Sequence, residues 1–138
     1  MHADLLIRAG LIALSVTLGG AARAETPADF LRTFEAAARQ EQAGFAGFST
    51  LRGAAFFSST HGREWSCASC HTRNPAAEGR HAKTDKPIAP LAPAANAERF
   101  ARADKVEKWF RRNCNDVLGR ACTPAEKGDV LAYLMSVR

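Results

Sequence analysis

The chain has 138 residues, with 19 basic and 14 acidic side chains and a formal net charge of +5 at neutral pH. This length fits a single domain with a modest core rather than several domains. The basic residues form no stretch interleaved with aromatic side chains, which argues against a nucleic acid as partner.

The N-terminal segment, residues 1–24, has the order of a secretory signal peptide. Arg8 precedes an apolar run over residues 9–18, and a small-x-small triplet ends at Ala24. The run is too short for a membrane-spanning helix, which needs about 20 apolar residues. We therefore expect cleavage after Ala24, export to the periplasm and a mature domain formed by residues 25–138.

Helical periodicity dominates the mature chain, so the sequence predicts an all-α fold. Thr26 and Pro27 are typical of the start of a helix, and this first helix is predicted to continue to about Ala43. A second helix is predicted over residues 49–58. No useful length of chain alternates with period two, and residues 72–95, rich in proline and glycine, predict a long ordered loop.

The C-terminal third returns to helix. Asn96 is the expected cap of a short helical segment, and a longer helix is predicted over residues 104–117, where Gly119 ends it. Residues 123–126 have the form of a capping box with a proline in the first turn. This pattern predicts a last helix that runs to the C-terminus.

The segment Cys67-Ala68-Ser69-Cys70-His71 has the spacing of the haem c attachment motif. Two thiols separated by two residues reach the two vinyl groups of one porphyrin from a single turn of chain. His71 is then placed beneath the iron, and imidazole binds both ferrous and ferric iron. We therefore predict one covalent haem c, attached at Cys67 and Cys70, with His71 as the proximal ligand.

Two other kinds of site use a Cys-x-x-Cys pair. A thioredoxin-type redox pair requires a βαβ context, with a strand before the motif and a helix starting at it. Half of a zinc site requires a second ligand pair at short spacing, whereas seven residues separate Cys114 from Cys122. The histidine directly after the first pair favours haem in an exported chain. If haem takes Cys67 and Cys70, only Cys114 and Cys122 remain to form a disulfide.

The motif does not determine which residue faces the sixth coordination position. Class I cytochromes c usually supply a methionine from the loop after the motif, but the mature chain has only Met135, in the last predicted helix. Met135 lies on the apolar face of that helix, so we interpret it as a core residue. His61 and His81 lie in polar loops, where an exposed histidine is the simpler interpretation.

Several segments resemble the Sphaeroides haem protein (SHP) family and the related cytochrome c'' of methylotrophs. They are TDKPIAPLAP at residues 84–93, Arg99-Phe100, KVEKWFRRNCNDVLGRACT at residues 105–123, Glu126-Lys127 and LAYL at residues 131–134. Gly53, Phe57 and Tyr133 further resemble the residues through which the terminal helices of class I cytochromes c cross. The resemblance implies a class I cytochrome c-like helical domain wrapped around one covalent haem, with a disulfide between Cys114 and Cys122.

The resemblance, over about residues 67–134, also implies a distal ligand. An SHP asparagine that binds ferric iron matches Asn113, where the cytochrome c'' relatives carry histidine. An amide oxygen is a hard, neutral ligand that ferric iron holds better than the softer ferrous iron. We therefore expect reduction to release Asn113 and to open the iron to O2, NO or CO. The resemblance further implies a dihaem cytochrome c and a membrane b-type cytochrome as electron donors.

The sequence is compatible with three functions. The first is a gas-binding cytochrome c with a labile Asn113. The second is a haem enzyme that reduces O2 or oxidises NO, which substrate turnover would reveal. The third is a plain electron carrier whose sixth ligand is permanent, supplied by Met135 or a histidine, which an optical spectrum would reveal. Five basic residues flank the motif and are candidates to steer an acidic redox partner, although each also suits a solvated surface: Arg63, Arg73, Arg80, Lys83 and Lys86.

Overall fold

The computed structural model describes residues 24–138, so the predicted signal peptide lies outside the described residues except for Ala24. The elements in chain order are α1 (Pro27–Glu41), α2 (Thr50–Ser58), α3 (Cys67–His71), β1 (Gly79–Arg80), β2 (Pro87–Ile88), a 3-10 helix (Ala97–Phe100), α4 (Ala103–Leu118) and α5 (Pro124–Ser136). Over this part of the chain, no helix has the length and apolar character that crossing a membrane requires. The predicted all-α fold is confirmed, with one short strand pair added.

Helix boundaries follow the capping residues that the sequence predicts, with one exception. Thr26 and Thr123 each begin a helix with a complete capping box, and Gly119 ends α4 in a left-handed conformation with φ of 73°. Asn96 is the exception, because its side chain makes no capping bond and its amide instead donates to the carbonyl of Pro90 at 3.1 Å. Asn96 therefore fastens the preceding loop rather than the start of the 3-10 helix.

The centre of the fold is the crossing of α2 over α5, which depends on a glycine. A Cβ atom on Gly53 would lie 1.9 Å from the carbonyl oxygen of Asp129, so only glycine permits this approach of the two backbones. One turn further along α2, the Phe57 and Tyr133 rings pack with their centroids 5.5 Å apart. The structure thus forms the crossing that Gly53, Phe57 and Tyr133 predict.

Aromatic and aliphatic side chains fill the core around this crossing. Its buried members are Phe30, Phe34, Phe57, Phe100, Val106, Val130, Leu131 and Leu134. Met135 packs against this cluster, which agrees with its interpretation as a core residue.

Residues 72–95 contain more regular structure than the sequence predicts. β1 and β2 pair antiparallel, with Gly79 opposite Ile88 and Arg80 opposite Pro87. Strands of two residues are too short to produce a recognisable period-two pattern, and the sequence analysis therefore missed them.

Two sets of close contacts fix this loop. A Cβ atom on Gly79 would lie 2.1 Å from the carbonyl oxygen of Cys70, so β1 runs directly against the backbone of α3. The carbonyl of Pro75 accepts hydrogen bonds from the amides of Leu91 and Ala92, at 2.8 and 2.9 Å. The proline-rich end of the loop is thereby folded back beside the segment that follows the Cys-x-x-Cys-His motif.

Candidate haem-binding site

Helix α3 is a single turn that carries both thiols of the motif. Ser66 and Ser69 form a capping box at its start, in which each backbone amide donates to the other residue's hydroxyl, at 3.0 and 3.2 Å. Cys67 and Cys70 are three residues apart on this turn, so their side chains lie on the same side of it. Both are free thiols. The amide of Ala82 donates to Cys70 Sγ at 3.3 Å, which places the β1–β2 turn against this sulfur.

The environment of this pair does not suit a thioredoxin-type redox site. Burial raises the pKa of the Cys67 thiol to about 11, whereas reactive thiols in redox motifs have lowered pKa values because the thiolate is the attacking form. The regular element that precedes α3 is a helix, α2, not a strand. The zinc alternative also fails, because Cys114 and Cys122 are bonded to each other in the predicted disulfide.

His71 is the last residue of α3 and lies half-buried beside the core, with its ring centroid 6.4 Å from that of Phe57. Burial, and secondly the positive charge of Arg99, lower the pKa of His71 to about 4. The imidazole is therefore neutral near neutral pH and keeps a lone pair for a metal ion. Thr72 follows with φ of 60°, a left-handed backbone that is strained for a β-branched residue, and turns the chain away directly after the imidazole.

Asn113 lies half-buried on α4, directly before the disulfide-bonded Cys114. The bridge to Cys122 joins this turn of α4 to the start of α5, with 5.5 Å between the two Cα atoms. Within residues 24–138, no group is hydrogen-bonded to the side-chain amide of Asn113. A half-buried asparagine is commonly held in a hydrogen-bond network of the protein, and Asn113 is not held in this way in the described chain.

Comparisons with known proteins identify the family. A family model, Domain of unknown function (DUF1924), matches residues 43–134, which is most of the chain. The cytochrome c-type protein SHP of Cereibacter sphaeroides is 44% identical over 127 residues, which cover 88% of this chain and 93% of that relative. This chain belongs to the SHP and cytochrome c'' family. Cytochrome c'' of Methylophilus methylotrophus is 50% identical over 80 residues, which cover 58% of this chain and 56% of that relative.

Solved structures of the family share the fold. The crystal structure of oxidised cytochrome c'' from Methylophilus methylotrophus covers 81% of this chain and 94% of its own, with a TM-score of 0.72 and 38% identity. The structure of oxidised SHP, an oxygen-binding cytochrome c, covers 79% of this chain and 95% of its own, with a TM-score of 0.69 and 43% identity. Because these relatives are c-type cytochromes, haem c is the cofactor of the family to which this chain belongs.

The residues present fit a haem c. Two free thiols on the same side of one helical turn suit the two vinyl groups of a porphyrin. The neutral imidazole of His71 suits iron as an axial ligand. The side-chain amide of Asn113 makes no hydrogen bond in the described chain, so its oxygen is free to bind a metal ion.

The other candidate ligands, His61, His81 and Met135, each make contacts with other residues of the chain. His61 Nε2 lies 2.9 Å from the carbonyl oxygen of Phe56, and the two rings pack with centroids 4.4 Å apart. His81 Nδ1 accepts a hydrogen bond from the amide of Lys83 at 3.2 Å within the β1–β2 turn. Met135 packs on the core. These contacts argue against a permanent sixth ligand from any of the three.

Arg99 connects the histidine side of the site with α4, and the sequence analysis gave it no role. Its charge acts on His71, and it also lines a cavity of about 230 Å³ together with Trp109. Trp109 lies one helical turn before Asn113 on α4. Helical spacing from Asn113 was the available signal for Trp109, while the signal for Arg99 was its place in the Arg99-Phe100 segment of the family resemblance.

Proposed function

We propose that this protein is an exported, periplasmic cytochrome c with one covalent haem, in which His71 is a permanent iron ligand and Asn113 a redox-labile one. The reduced protein binds O2, NO or CO and transfers electrons. The observation that carries this proposal is that Asn113, a half-buried residue, has a side-chain amide with no hydrogen-bond partner in the described chain. No fully buried side-chain polar atom of the described residues lacks a hydrogen bond, so the amide of Asn113 meets water and has no protein partner to leave when it binds iron.

Cys67 and Cys70 hold the haem in this proposal. Each sulfur would form one bond to a vinyl carbon and its thiol proton would pass to the neighbouring vinyl carbon, so the addition would need no oxidant. The capping box at the start of α3 and the contact between Ala82 and Cys70 fix both sulfurs on one side of the turn.

Asn113 is the part of the site that responds to reduction. Once bound, the haem supplies a one-electron iron couple and, when reduced, an iron that takes small diatomic ligands. The amide oxygen of Asn113 would bind ferric iron and would be released from the softer ferrous iron. The Cys114–Cys122 bridge fastens the backbone of this turn to α5, so that the release is confined to the side chain.

Two relatives support this assignment. SHP is an oxygen-binding cytochrome c. The solution structure of Methylophilus methylotrophus cytochrome c'' concerns the structural basis of haem-ligand detachment.

The electron donors in this proposal are a dihaem cytochrome c and a membrane b-type cytochrome, as the family resemblance implies. The turn between β1 and β2 supports an acidic docking partner, because it lies against Cys70 through the amide of Ala82. Three exposed cations, Arg80, Lys83 and Lys86, surround this turn. Positive charge at the attachment edge would steer an acidic partner to the point where electrons enter.

Optical and resonance Raman spectra of Asn113 variants test the proposal. The ferric protein should be six-coordinate with a weak axial field, and reduction by dithionite should give a five-coordinate high-spin spectrum that changes at once with CO. Asn113→His should give a low-spin ferric spectrum, because imidazole is the stronger-field ligand. Asn113→Ala should open the ferric site to azide and leave the ferrous spectrum unchanged.

The matched control is Asn115→Ala, which removes an exposed asparagine two residues further along α4 and should change neither spectrum. Haem that acid-acetone cannot extract from any of these samples establishes covalent attachment. A low-spin ferrous spectrum in the unmodified protein, unaffected by CO and abolished by Met135→Ala or His81→Ala, would show a permanent sixth ligand and contradict the proposal.

A further inference from the structure

Arg99 is a cation without a counter-charge inside the site. Its guanidinium is half-buried and donates to two backbone carbonyls, that of Ala89 at 2.6 Å and that of Pro90 at 3.3 Å. These bonds occupy Nη2 and Nε and leave Nη1 without a partner in the described chain. No carboxylate of residues 24–138 lies within ion-pair distance of it. A partly buried charge of this kind is retained at a cost unless an opposite charge comes to it.

The cavity beside Arg99 has a net positive lining. It has a volume of about 230 Å³ and lies between the loop before the 3-10 helix and α4. Its lining residues are Ala89, Asn96, Glu98, Arg99, Lys105 and Trp109. Lys105 also makes no ion pair in the part of the chain that the structure describes. Two cations against the one carboxylate of Glu98 leave a balance that one singly charged anion would neutralise.

We propose that Arg99, with Lys105, binds one propionate of the haem, which deepens the proposed function and rests on it. The position supports this ligand, since Arg99 donates to the carbonyl of Ala89, directly after β2, and Gly79 of the paired strand β1 lies against the backbone of α3 beside His71. A haem whose iron is bound by His71 brings its carboxylates into the same neighbourhood. The two carbonyl bonds hold the guanidinium in place beforehand, so that Nη1 donates to the carboxylate without first being ordered.

This contact sets part of the reduction potential. A guanidinium near the iron disfavours the ferric state, which carries the greater positive charge, and it also neutralises a propionate that would favour that state. Arg99→Gln should therefore lower the equilibrium constant for reduction about tenfold, equal to ~59 mV for a one-electron couple. Arg99→Lys keeps the charge and should restore most of the potential.

Potentiometry and resonance Raman spectroscopy of the holoprotein test the assignment, with Arg111→Gln as the matched control. Arg111 is exposed on α4, so its replacement removes the same charge from the surface and should barely move the potential. The propionate bending band should shift in Arg99→Gln and not in Arg111→Gln. If Arg99→Gln does not fold, Arg99→Lys, which loses the planar fork, should still shift that band.

Three results would overturn the inference. The first is an Arg99→Gln protein with the potential and propionate band of the control. The second is an Arg99→Lys protein whose band is unchanged. The third is a saturable fall in the potential of the unmodified protein on adding inorganic phosphate, absent in Arg99→Gln, which would assign the cavity to a free anion. Absence of covalent haem in the unmodified protein would instead contradict the proposed function, so the two failures are distinguishable.

Discussion

Replacing Gly53 by alanine places a methyl group where α2 and α5 touch. The added carbon would lie 1.9 Å from the carbonyl oxygen of Asp129 and 2.9 Å from Cβ of Tyr133, and neither atom is the free end of a flexible side chain. The helices must therefore separate, and overpacking of this kind costs about 1–3 kcal/mol. Alanine's better helix propensity returns ~0.5–1 kcal/mol. The expected net loss in the free energy of unfolding is roughly 1–2 kcal/mol.

Guanidinium unfolding of the ferric holoprotein, followed by circular dichroism, measures this loss against Gly44→Ala. Gly44 has no atom within 4 Å of the position where its Cβ would lie, so the control should stay within about 0.5 kcal/mol of the unmodified protein. Because Phe57 packs on Tyr133 and also lies beside His71, separated helices should in addition disturb the haem absorption spectrum. Equal stability of the Gly53→Ala and Gly44→Ala proteins would refute this account of the crossing.

Two further predictions concern the start of α5. Hydrogen bonds from Arg120 hold the pKa of Glu126 below its usual value. The ionised carboxylate therefore stabilises the folded state at pH values above its unfolded-state pKa. This stability is lost as the pH falls through the lowered pKa of the folded state. Glu126→Gln should therefore flatten the acid side of a profile of unfolding free energy against pH, and an unchanged profile would contradict the assignment. Replacing Cys114 and Cys122 by serine should lower the free energy of unfolding by roughly 2–3 kcal/mol in urea denaturation. The same variant should bind azide to the ferric protein faster in stopped-flow, because the backbone beside Asn113 is freed; unchanged stability would show that the bridge constrains nothing.

Helix ends were predictable where one residue determines the local backbone. Thr26 and Thr123 cap their helices and Gly119 ends α4, because each of these contacts lies within a few residues of the chain. Asn96 had an alternative that sequence cannot weigh, since its amide could cap the next helix or bind a carbonyl. The Asn96 amide donates to the carbonyl of Pro90 because the folded loop places that carbonyl within hydrogen-bond distance.

The same distinction separates the two halves of the site. The proposed attachment residues Cys67 and Cys70 and the proposed ligand His71 lie within the five residues of α3, so their spacing alone predicts the chemistry. Arg99 depends on segments that only folding brings together: the carbonyls of the proline-rich loop, the imidazole at the end of α3 and the facing surface of α4. Its neighbours along the chain give no sign of these contacts. The prediction that Asn113 is the distal ligand depended on the family resemblance, since an asparagine on a helix by itself predicts no bond to iron.

The fold constrains His71 with more contacts than Asn113, the other proposed iron ligand. His71 is fixed by the capping box at the start of α3, by the strained backbone of Thr72 directly after it, and by β1, which Gly79 allows to touch the backbone of α3. Asn113 lies on a more exposed part of α4, where the side chain of Trp109, one turn earlier, is 44% exposed. The side-chain amide of Asn113 makes no hydrogen bond with any group of residues 24–138.

A ligand switch requires one iron ligand that stays in place and a second that can leave at low cost. A side chain that leaves the iron must also break its contacts with the protein, and each hydrogen bond broken would add about 0.5–1.5 kcal/mol to the free energy of release. Asn113 has no such bond to break in the described chain, so the weakness of the amide as a ligand of ferrous iron would decide the outcome of the proposed switch. In the proposed function, the disulfide at the next residue would keep the helix from moving with the side chain, so that the amide oxygen would stay within reach of the iron when the protein is oxidised again.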